Sequence, residues 1–526
     1  MADDGPTASL DDSQRAYVAD LIRAHYVVPP DRLIPLLSSL SSELAQSDTQ
    51  ISALRERLDS ALSHRAKLQR LYDGCHAVSA PVRRLPAEIL GEIFGWYIDD
   101  ADHCTLDSCR FRLAWICARW RTIVLETAAL WSKIYVNLAD SSGTIPRLGS
   151  ALDYGRNGPL ALVVHADSRP PSSSVVNLLA NHSPRWRHLA YYGPTLHLEQ
   201  FAGVTGNLPI LEKLTLHDWG FDSDADVSVL QTAPCLRSIT TRVGSRVSLP
   251  PLEQLAFLKL DTVDWSGLAM ELPRATALSE DSCFDLQFYL DDLGLSGTVH
   301  LNLSPTTLRV SRLRLEVDGE FRRNHCQQAF SQIFDSLTLP NLRALELSST
   351  EFIRFPLIWP HARAITLFNR SALSTHLRVL NIADVNISEA QLRECLAALP
   401  YLEQLAIADH IRVRGRGSNV ILVTDSLLRA LACPGPNPSS QSSSGEVLVP
   451  SLDTFRIRSR MQFRTNVYIE FLLSRTPACE GKPFTVEIER HPEDPDARMD
   501  AVLYAELRRL QAEKRVVLDG VSVPAV

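Results

Sequence analysis

The chain has 526 residues and a formal net charge of −8; 45% of its residues are hydrophobic and 22% are charged. A single compact core rarely serves a chain of this length, so we expect two or three domains or a repetitive array. The acidic balance gives no basis for a nucleic-acid partner. No apolar run approaches the roughly 20 residues that cross a bilayer. The acidic start M-A-D-D-G-P argues against a secretory signal. We therefore expect neither a nucleic-acid nor a membrane partner, and a cytoplasmic or nuclear location.

The sequence offers no recognisable catalytic or metal-binding motif. Its ten cysteines are scattered and include no C-x-x-C pair, which argues against a disulfide framework and against a zinc site. The motifs of phosphate-binding loops, zinc hydrolases and nucleophile elbows are also missing from the sequence. We therefore predict that the protein is not an enzyme and that it uses no cofactor, no metal and no catalytic residue.

The N-terminal region divides into a polar start, residues 1–32 with a short helix near 14–25, and a heptad-bearing segment, residues 33–80. The heptad runs over 33–73, where mostly apolar residues alternate at spacings of three and four. This spacing predicts one continuous helix. Self-association as a coiled coil and packing within the chain both remain open. The seam residues are Leu37, Leu40, Leu44, Ser47, Ile51, Leu54, Leu58, Ala61, Arg65, Leu68 and Tyr72.

Residues 81–140 contain three apolar helical segments in close succession. Leu85-Pro86 opens the first, since proline is well tolerated in the first turn of a helix. A second helix is predicted over 111–125, and Leu130-Trp131 closes the unit. About 50 residues in this arrangement cannot hide all of their apolar surface, so such a module is expected to dock on a partner. The apolar stripe of the first helix consists of Ile89, Leu90, Ile93, Phe94 and Tyr97.

The ordered motifs L-P-A-E-I-L-G-E-I-F, I-C-A-R-W-R and L-W-S-K-I resemble an F-box, the module that joins a substrate receptor to a cullin–RING ubiquitin ligase. Segments 158–164 and 181–189 extend the similarity to the large F-box families of mushroom-forming fungi. The segment between Trp96 and Phe111 is longer and more acidic than a minimal box. The resemblance implies a Skp-type adaptor as partner and, through it, a cullin. The implied adaptor-binding residues are Leu85, Pro86, Ile89, Leu90, Ile93, Phe94, Trp120 and Trp131, the two tryptophans also holding the module together.

From about residue 145 the sequence repeats the unit P-x-L-x-x-L-x-L. Some anchors lie 25 residues apart and others 32–35. A period in the twenties with this leucine spacing is typical of leucine-rich repeats, in which short strands stack and bury one another's apolar faces. Full copies occupy 209–216, 234–241, 340–347, 400–407 and 450–457, and weaker copies 186–191, 252–257, 310–315 and 377–382.

These patterns together predict the fold class α/β. The expected architecture is an N-terminal coiled-coil-like helix, a three-helix F-box, and an irregular leucine-rich-repeat solenoid over 145–526. Residues 433–446 are rich in proline and serine and are expected to form a flexible loop. Residues 498–516 are predicted to form a final amphipathic helix that caps the array.

The repeat motif also predicts which side chains are available to a target protein. Along a strand the leucines point into the array and the residues between them point the other way. In a curved array that second face is the concave one, which such proteins commonly use for recognition. Arginines there suit an acidic or phosphorylated target, although plain solvated surface is an equally good interpretation. The candidate target-binding residues are Lys213, Thr215, Arg312, Arg314, Glu346, Gln404 and Arg456.

Two functions from different classes fit the sequence. In the first, the protein is the substrate-recognition subunit of an SCF-type (Skp adaptor–cullin–F-box) ubiquitin ligase, with the box on the adaptor and the repeats on an unidentified target. In the second, it is a repeat scaffold for protein–protein interaction outside any ligase. Binding of the adaptor separates the two.

Overall fold

The chain is mixed α/β, with a long N-terminal helix and a large parallel sheet, as the sequence predicts. It divides into two compact units, residues 1–90 and 91–526. Among the described helices, none combines the length and apolar character that a bilayer crossing requires. The structure is a computed structural model that describes residues 12–23, 30–100, 108–138, 144–217, 232–243, 252–262, 269, 272–289, 303–318, 323–349, 357–409, 421–433, 447–459, 463–476, 483–490 and 501–519.

The N-terminal helices are α1 (Asp12–Arg23), α2 (Pro30–Ser79) and α3 (Ala87–Asp100), and the boundary between the two units falls inside α3. The other described helices are α4 (Ser108–Ile116), α5 (Ala118–Glu126), α6 (Thr144–Tyr154), α7 (Ser173–Asn181), α8 (Arg323–Ser336), α9 (His361–Arg370), α10 (Leu373–His376), α11 (Glu389–Ala397), α12 (Asp425–Leu431), α13 (Thr465–Arg475) and α14 (Ala501–Ala512).

The helix predicted over 33–73 is confirmed and is longer than the heptad itself. α2 is continuous over 50 residues and contains Pro35 as its sixth residue, where the missing N–H costs the helix one main-chain hydrogen bond. Every residue from 41 to 79 is exposed. The apolar seam is therefore uncovered within the described part of the first unit.

The sheet contains fourteen parallel strands among the described residues, and their spatial order follows the chain. Parallel neighbours require a crossover that returns the chain to the end of the sheet where the previous strand began, and in the described parts of the connections short helices and turns contribute to it. The strands are β1 (Lys133–Asn137), β2 (Leu160–His165), β3 (Trp186–Tyr192), β4 (Lys213–His217), β5 (Ser238–Val243), β6 (Phe257–Thr262), β7 (Cys283–Tyr289), β9 (Arg312–Asp318), β11 (Ala344–Ser349), β13 (Val379–Ala383), β15 (Gln404–Ala408), β16 (Thr454–Ser459), β17 (Phe484–Arg490) and β18 (Val516–Asp519). Two short parallel pairs lie outside this sheet, β8 (Thr306–Thr307) with β10 (Leu337–Thr338) and β12 (Leu357–Ile358) with β14 (Val385–Asn386).

The leucine motif explains why each unit forms a strand at its position. In the copy at 209–216, Leu211, Leu214 and Leu216 are buried, while Lys213 is exposed and Thr215 half-buried. Leu214 lies opposite Ile239 of the next strand, so the same positions of successive units build one continuous core. Fully burying each such side chain contributes about 1.5–3 kcal/mol.

Arginines near the ends of helical segments tie consecutive units together. Arg475, the last residue of α13, donates hydrogen bonds to main-chain carbonyl oxygens of the preceding unit, among them Leu431 at 2.7 Å and Leu448 at 3.0 Å. Arg370 and Arg185 do the same at the ends of their helical segments. A guanidinium has five donors in a fixed fork, so one side chain can satisfy several carbonyl groups that the end of a helix leaves unpaired.

The predicted repeat at 252–257 is out of frame by three residues. Leu252 belongs to a short 3-10 turn, and the strand begins only at Phe257. The buried anchors are Leu255, Leu258 and Leu260, which also fit L-x-x-L-x-L. Because the leucines overlap, the sequence fits the motif in both frames. The true repeat is the frame whose last two leucines, Leu258 and Leu260, are buried on the strand.

Two predicted boundaries differ from the structure at the ends of the sheet. β1 begins at Lys133, inside the segment 81–140 that was assigned to the helical module. At the other end the helix predicted over 498–516 stops at Ala512, within the part that can be described. Lys514 then adopts a left-handed conformation with φ 56°, and Val516 opens β18, opposite Phe484 of β17. The predicted flexible loop lies outside the described residues except for Cys433.

Candidate functional site

α3 divides the predicted apolar stripe between two faces. Leu90 and Phe94 are fully buried, whereas the neighbouring apolar residues are exposed. The exposed set recurs at intervals of four, three and one, which places it along one line of the helix. Its members are Ile89 (43% exposed), Ile93 (41%), Trp96 (73%) and Tyr97 (46%).

The single helix predicted over 111–125 is wrong, because the chain breaks at Cys117. This residue is extended, with φ −158° and ψ 166°, and its sulfur accepts the main-chain N–H of Trp120 at 3.5 Å. It thus caps α5, a role that sequence patterns rarely assign to cysteine. The Arg121 Nε donates to the carbonyl oxygen of Ala114 at 3.1 Å, which holds α4 and α5 together across the break.

Trp131 is a packing residue and not an accessible contact. It is fully buried, and its indole Nε1 donates to the carbonyl oxygen of Val124 at 2.7 Å. The guanidinium of Arg110 lies 5.4 Å from its ring centroid, and the ring of Tyr154 lies 4.8 Å away. Trp120 is half-buried, with its ring 4.7 Å from that of Phe94. Of the two roles expected for these tryptophans, holding the helices together is the one that this geometry supports.

Of the other predicted adaptor contacts, Pro86 is exposed and Leu85 is half-buried. Leu90 and Phe94 are buried, so neither can touch a partner in this conformation. Three further exposed apolar residues were not among the predicted contacts, Trp96 and, at the end of α4, Trp115 and Ile116, the last two being 74% and 59% exposed. Trp96 could have been found, since it continues the line of Ile89 and Ile93 by one more turn.

The seven predicted target-binding residues all lie on the sheet face opposite the buried leucines, in two adjacent rows. The strand register puts Lys213, Arg312 and Gln404 in one row and Thr215, Arg314, Glu346 and Arg456 in the next. Eight strand-to-strand steps separate Lys213 from Arg456, which is about 38 Å at the usual spacing. The seven therefore do not form one site. Arg312, Arg314 and Glu346 are the compact subset.

The charges around this subset are matched within the chain. Arg312 Nη2 lies 2.7 Å from Glu346 Oε1, and Arg314 Nη2 lies 3.1 Å from Glu316 Oε2. The hydrogen bond to Glu346 raises the pKa of Arg312. Asp285 lies on β7, opposite Arg314 of β9. Burial raises the pKa of its carboxyl, although the charges of Arg314 and Arg312 act in the opposite direction. The pair of Arg312 with Glu346 crosses from β9 to β11 and requires the register of the sheet, so the sequence alone did not show it, whereas Arg314 and Glu316 both lie on β9.

Lys259 and Asp261 extend this patch to the neighbouring strand, 3.5 Å apart. With them the described patch holds three basic and four acidic side chains, Lys259, Arg312 and Arg314 against Asp261, Asp285, Glu316 and Glu346. Such a surface is of mixed sign. It gives no excess of positive charge for an acidic or phosphorylated ligand.

A stack of three rings occupies the same face near the carboxyl ends of β2, β3 and β4. The centroids of His165 and Tyr192 are 4.8 Å apart with an interplanar angle of 9°, and those of Tyr192 and His217 are 5.0 Å apart at 3°. Burial lowers the pKa of His217, which favours the neutral imidazole. Both faces of the tyrosine ring are used between strands, so the stack is chiefly a packing feature of the sheet.

Comparison with models of known protein families and with curated proteins finds no match for this chain. In the part of the chain that the structure describes, no group of three or more His, Cys, Asp or Glu side chains is placed to hold a metal ion. Burial raises the pKa of Cys395 to about 12, so this thiol is protonated at neutral pH and a poor nucleophile. The exposed apolar line of α3 and the mixed-charge sheet face are the surfaces from which a function can be argued.

Proposed function

We propose that the protein is the substrate-recognition subunit of an SCF-type ubiquitin ligase. Residues 81–140 are an F-box that binds a Skp-type adaptor, and residues 145–526 are a leucine-rich-repeat solenoid that binds the target protein. The observation that carries the proposal is the order of the three motifs L-P-A-E-I-L-G-E-I-F, I-C-A-R-W-R and L-W-S-K-I within one short segment.

The exposed line of α3 supports the adaptor-binding role. A soluble surface seldom places large apolar side chains at four positions along one helix without a partner, and the second of these, Ile93, sits beside Trp96. Tryptophan is among the residues that most often dominate binding energy at interfaces. On the other side of α3 the ring of Phe94 packs against Trp120 of α5, with centroids 4.7 Å apart, which holds the helix that carries this line.

The sheet supports the solenoid. Consecutive strands are spatial neighbours, all pairs are parallel, and the leucines of the repeat motif are buried at equivalent positions. Each strand pairs with the strands on either side, and such nearest-neighbour stacking is the property that makes repeat arrays quasi-one-dimensional. Irregular spacing of the copies is accommodated in the connections, whose helices range from α10 with four residues to α8 with fourteen.

In this proposal the protein itself does no covalent chemistry. It raises the local concentration of target lysines near a ubiquitin-loaded conjugating enzyme that the cullin brings. Effective concentrations in the millimolar range are usual for two sites held in one assembly, and orientation adds to this. The role of the chain is to bind at two places, the adaptor and the target.

Arg312 and Arg314 remain the candidate target contacts. Because Glu346 and Glu316 already neutralise them, an acidic target would have to displace a carboxylate, and a target surface of mixed charge is favoured. The test is the double reversal Arg312→Glu and Arg314→Glu, with proteins captured through an intact box compared with those of the wild type. The matched control reverses Arg363 and Arg393, which lie on helices. An unchanged set of captured proteins moves recognition off this face.

The adaptor assignment is tested by co-expressing the full chain with the Skp-type adaptor of its own organism. Replacing Leu85 and Pro86 with alanine should weaken capture sharply, since each lost aliphatic contact costs on the order of 1–3 kcal/mol. Replacing Leu196, an exposed leucine outside the box, should leave capture unchanged. If the wild-type chain captures no adaptor, the ligase role is refuted and the favoured function is that of a protein-interaction scaffold outside any ligase.

A further inference from the structure

α2 presents an apolar seam that needs an occupant. The seam repeats every seven residues over five heptads, and each residue from 41 to 79 is exposed. A seven-residue apolar repeat makes two helices supercoil around each other with the seam between them. A second copy of the chain carries a seam of the same length and spacing, so it fits without any further partner. The exposed seam leucines include Leu37, Leu44, Leu54, Leu58 and Leu68.

We propose that α2 is a dimerisation helix that pairs with α2 of a second copy in antiparallel orientation, with Ile51 opposite Leu54. This surface is independent of the proposed ligase function. It lies wholly within residues 30–79, and the orientation follows from the charges that flank the seam.

A parallel pair is disfavoured at two places. In that orientation each seam residue meets its own copy, so Arg65 would face Arg65 in the middle of an apolar interface. The residues that flank the seam also face each other in a parallel pair. Glu43, just before Leu44, would then face Asp48, just after Ser47, of the second copy. Both arrangements bring like charges together, and the second occurs twice by symmetry.

The antiparallel pair removes both conflicts. With Ile51 opposite Leu54, the flanking residue Asp48 faces Arg55 of the second copy, and symmetry makes this pair twice. Each polar seam residue then meets a leucine instead of its own copy. Ser47 lies opposite Leu58, and Arg65 lies opposite Leu40. Glu43 flanks the position at which Leu40 meets Arg65 of the second copy.

The register is fixed by the same residues. The residue numbers of two facing positions add up to 105, as for 51 and 54, so residue 30 of one copy faces residue 75 of the other. The paired segment therefore covers 46 of the 50 residues of α2 and is about 69 Å long. A shift of one heptad in one direction sets Asp48 against Asp48. A shift in the other direction sets Arg55 against Arg55. Of the three registers, only the proposed one has no like-charge pair at these positions.

Reciprocal charge variants of the full chain test orientation and register together. Asp48→Arg and Arg55→Asp should each weaken dimerisation at least about 10-fold at low salt, because two attractive pairs become repulsive. An equimolar mixture of the two variants should restore it, since both flanking pairs are then of opposite charge. Asp59→Arg and Arg70→Asp make the same charge changes on the outer face of α2 and should have little effect. Sedimentation equilibrium gives the dissociation constants, and circular dichroism checks the helix.

Cys75 provides a native probe of the alternative. It is free and exposed, and it continues the seam by one heptad beyond Leu68. A parallel pair would place it against Cys75 of the second copy, and mild oxidation would then give a crosslink that Cys75→Ser abolishes. In the antiparallel pair it faces Pro30, and no such crosslink forms. That crosslink, a tighter dimer of Asp48→Arg, or a wild-type chain that remains monomeric at high concentration would each overturn the proposal.

Discussion

Arg475→Met should destabilise the part of the sheet around β16 by about 3–5 kcal/mol. Arg475 is only 8% exposed, and its guanidinium donates to the carbonyl oxygens of Leu431, Leu448, Val449 and Pro450 at distances of 2.7–3.1 Å. Methionine keeps most of the aliphatic stem but removes all five donors. The four carbonyl groups are then left without this partner in a site that water reaches poorly.

The magnitude follows from two opposing effects. A hydrogen bond from a charged donor contributes about 1.5–3 kcal/mol, so four bonds would give roughly 6–12 kcal/mol if they were independent. Burial of a guanidinium costs several kcal/mol, and the variant is spared that cost. Arg456→Met is the matched control, because Arg456 is half-exposed and makes a surface ion pair with Glu487 at 2.8 Å. Its loss should cost less than about 1 kcal/mol.

Hydrogen exchange is the suitable assay, since unfolding of so large a chain need not be two-state. Peptides from 447–476 should lose protection in Arg475→Met and keep it in Arg456→Met. The urea midpoint measured by circular dichroism should move in the same order. Equal effects of the two substitutions would refute the view that Arg475 ties its unit to the preceding one.

Two further predictions concern pH and the core of the helical module. Burial lowers the pKa of His182, His188 and His217 below the ordinary 6.5, so the unfolded chain takes up protons first as the pH falls. The urea midpoint should therefore drop as the pH falls through 6.5, and replacing the three histidines with glutamine should flatten that profile; a drop of the same size would contradict this assignment. Trp131→Phe removes one buried hydrogen bond to α5 and should cost about 1–3 kcal/mol; thermal unfolding unchanged from the wild type would contradict the packing role.

The elements that the sequence predicted well are those set by a simple period. The alternation of three and four over 33–73 predicted α2, and L-x-x-L-x-L placed strands such as β4 and β11. In both, apolar side chains recur at an interval that matches the period of the element, and that interval is visible in the sequence alone. The mixed α/β class with a large parallel sheet followed from the same repeats.

What the sequence could not predict depends on contacts between distant residues or on unusual local chemistry. Cys117 breaks a helix because its sulfur caps the next one, and helix propensity does not record this. The pair of Arg312 with Glu346 joins residues far apart in sequence and needs the strand register. The split of the α3 stripe into buried Phe94 and exposed Ile93 depends on which side of the helix meets the core.

The adaptor proposal is tested most directly by titrating the purified full chain with a purified Skp-type adaptor in a calorimeter. Ile93→Asp should weaken binding at least about 10-fold, since it places a charge in the centre of the exposed apolar line. Ile210→Asp is the matched control, because Ile210 is 38% exposed against 41% for Ile93. The proposal predicts one adaptor per chain, a large loss in Ile93→Asp and wild-type affinity in Ile210→Asp. Absence of binding by the wild type, or equal affinities for the two variants, would contradict it.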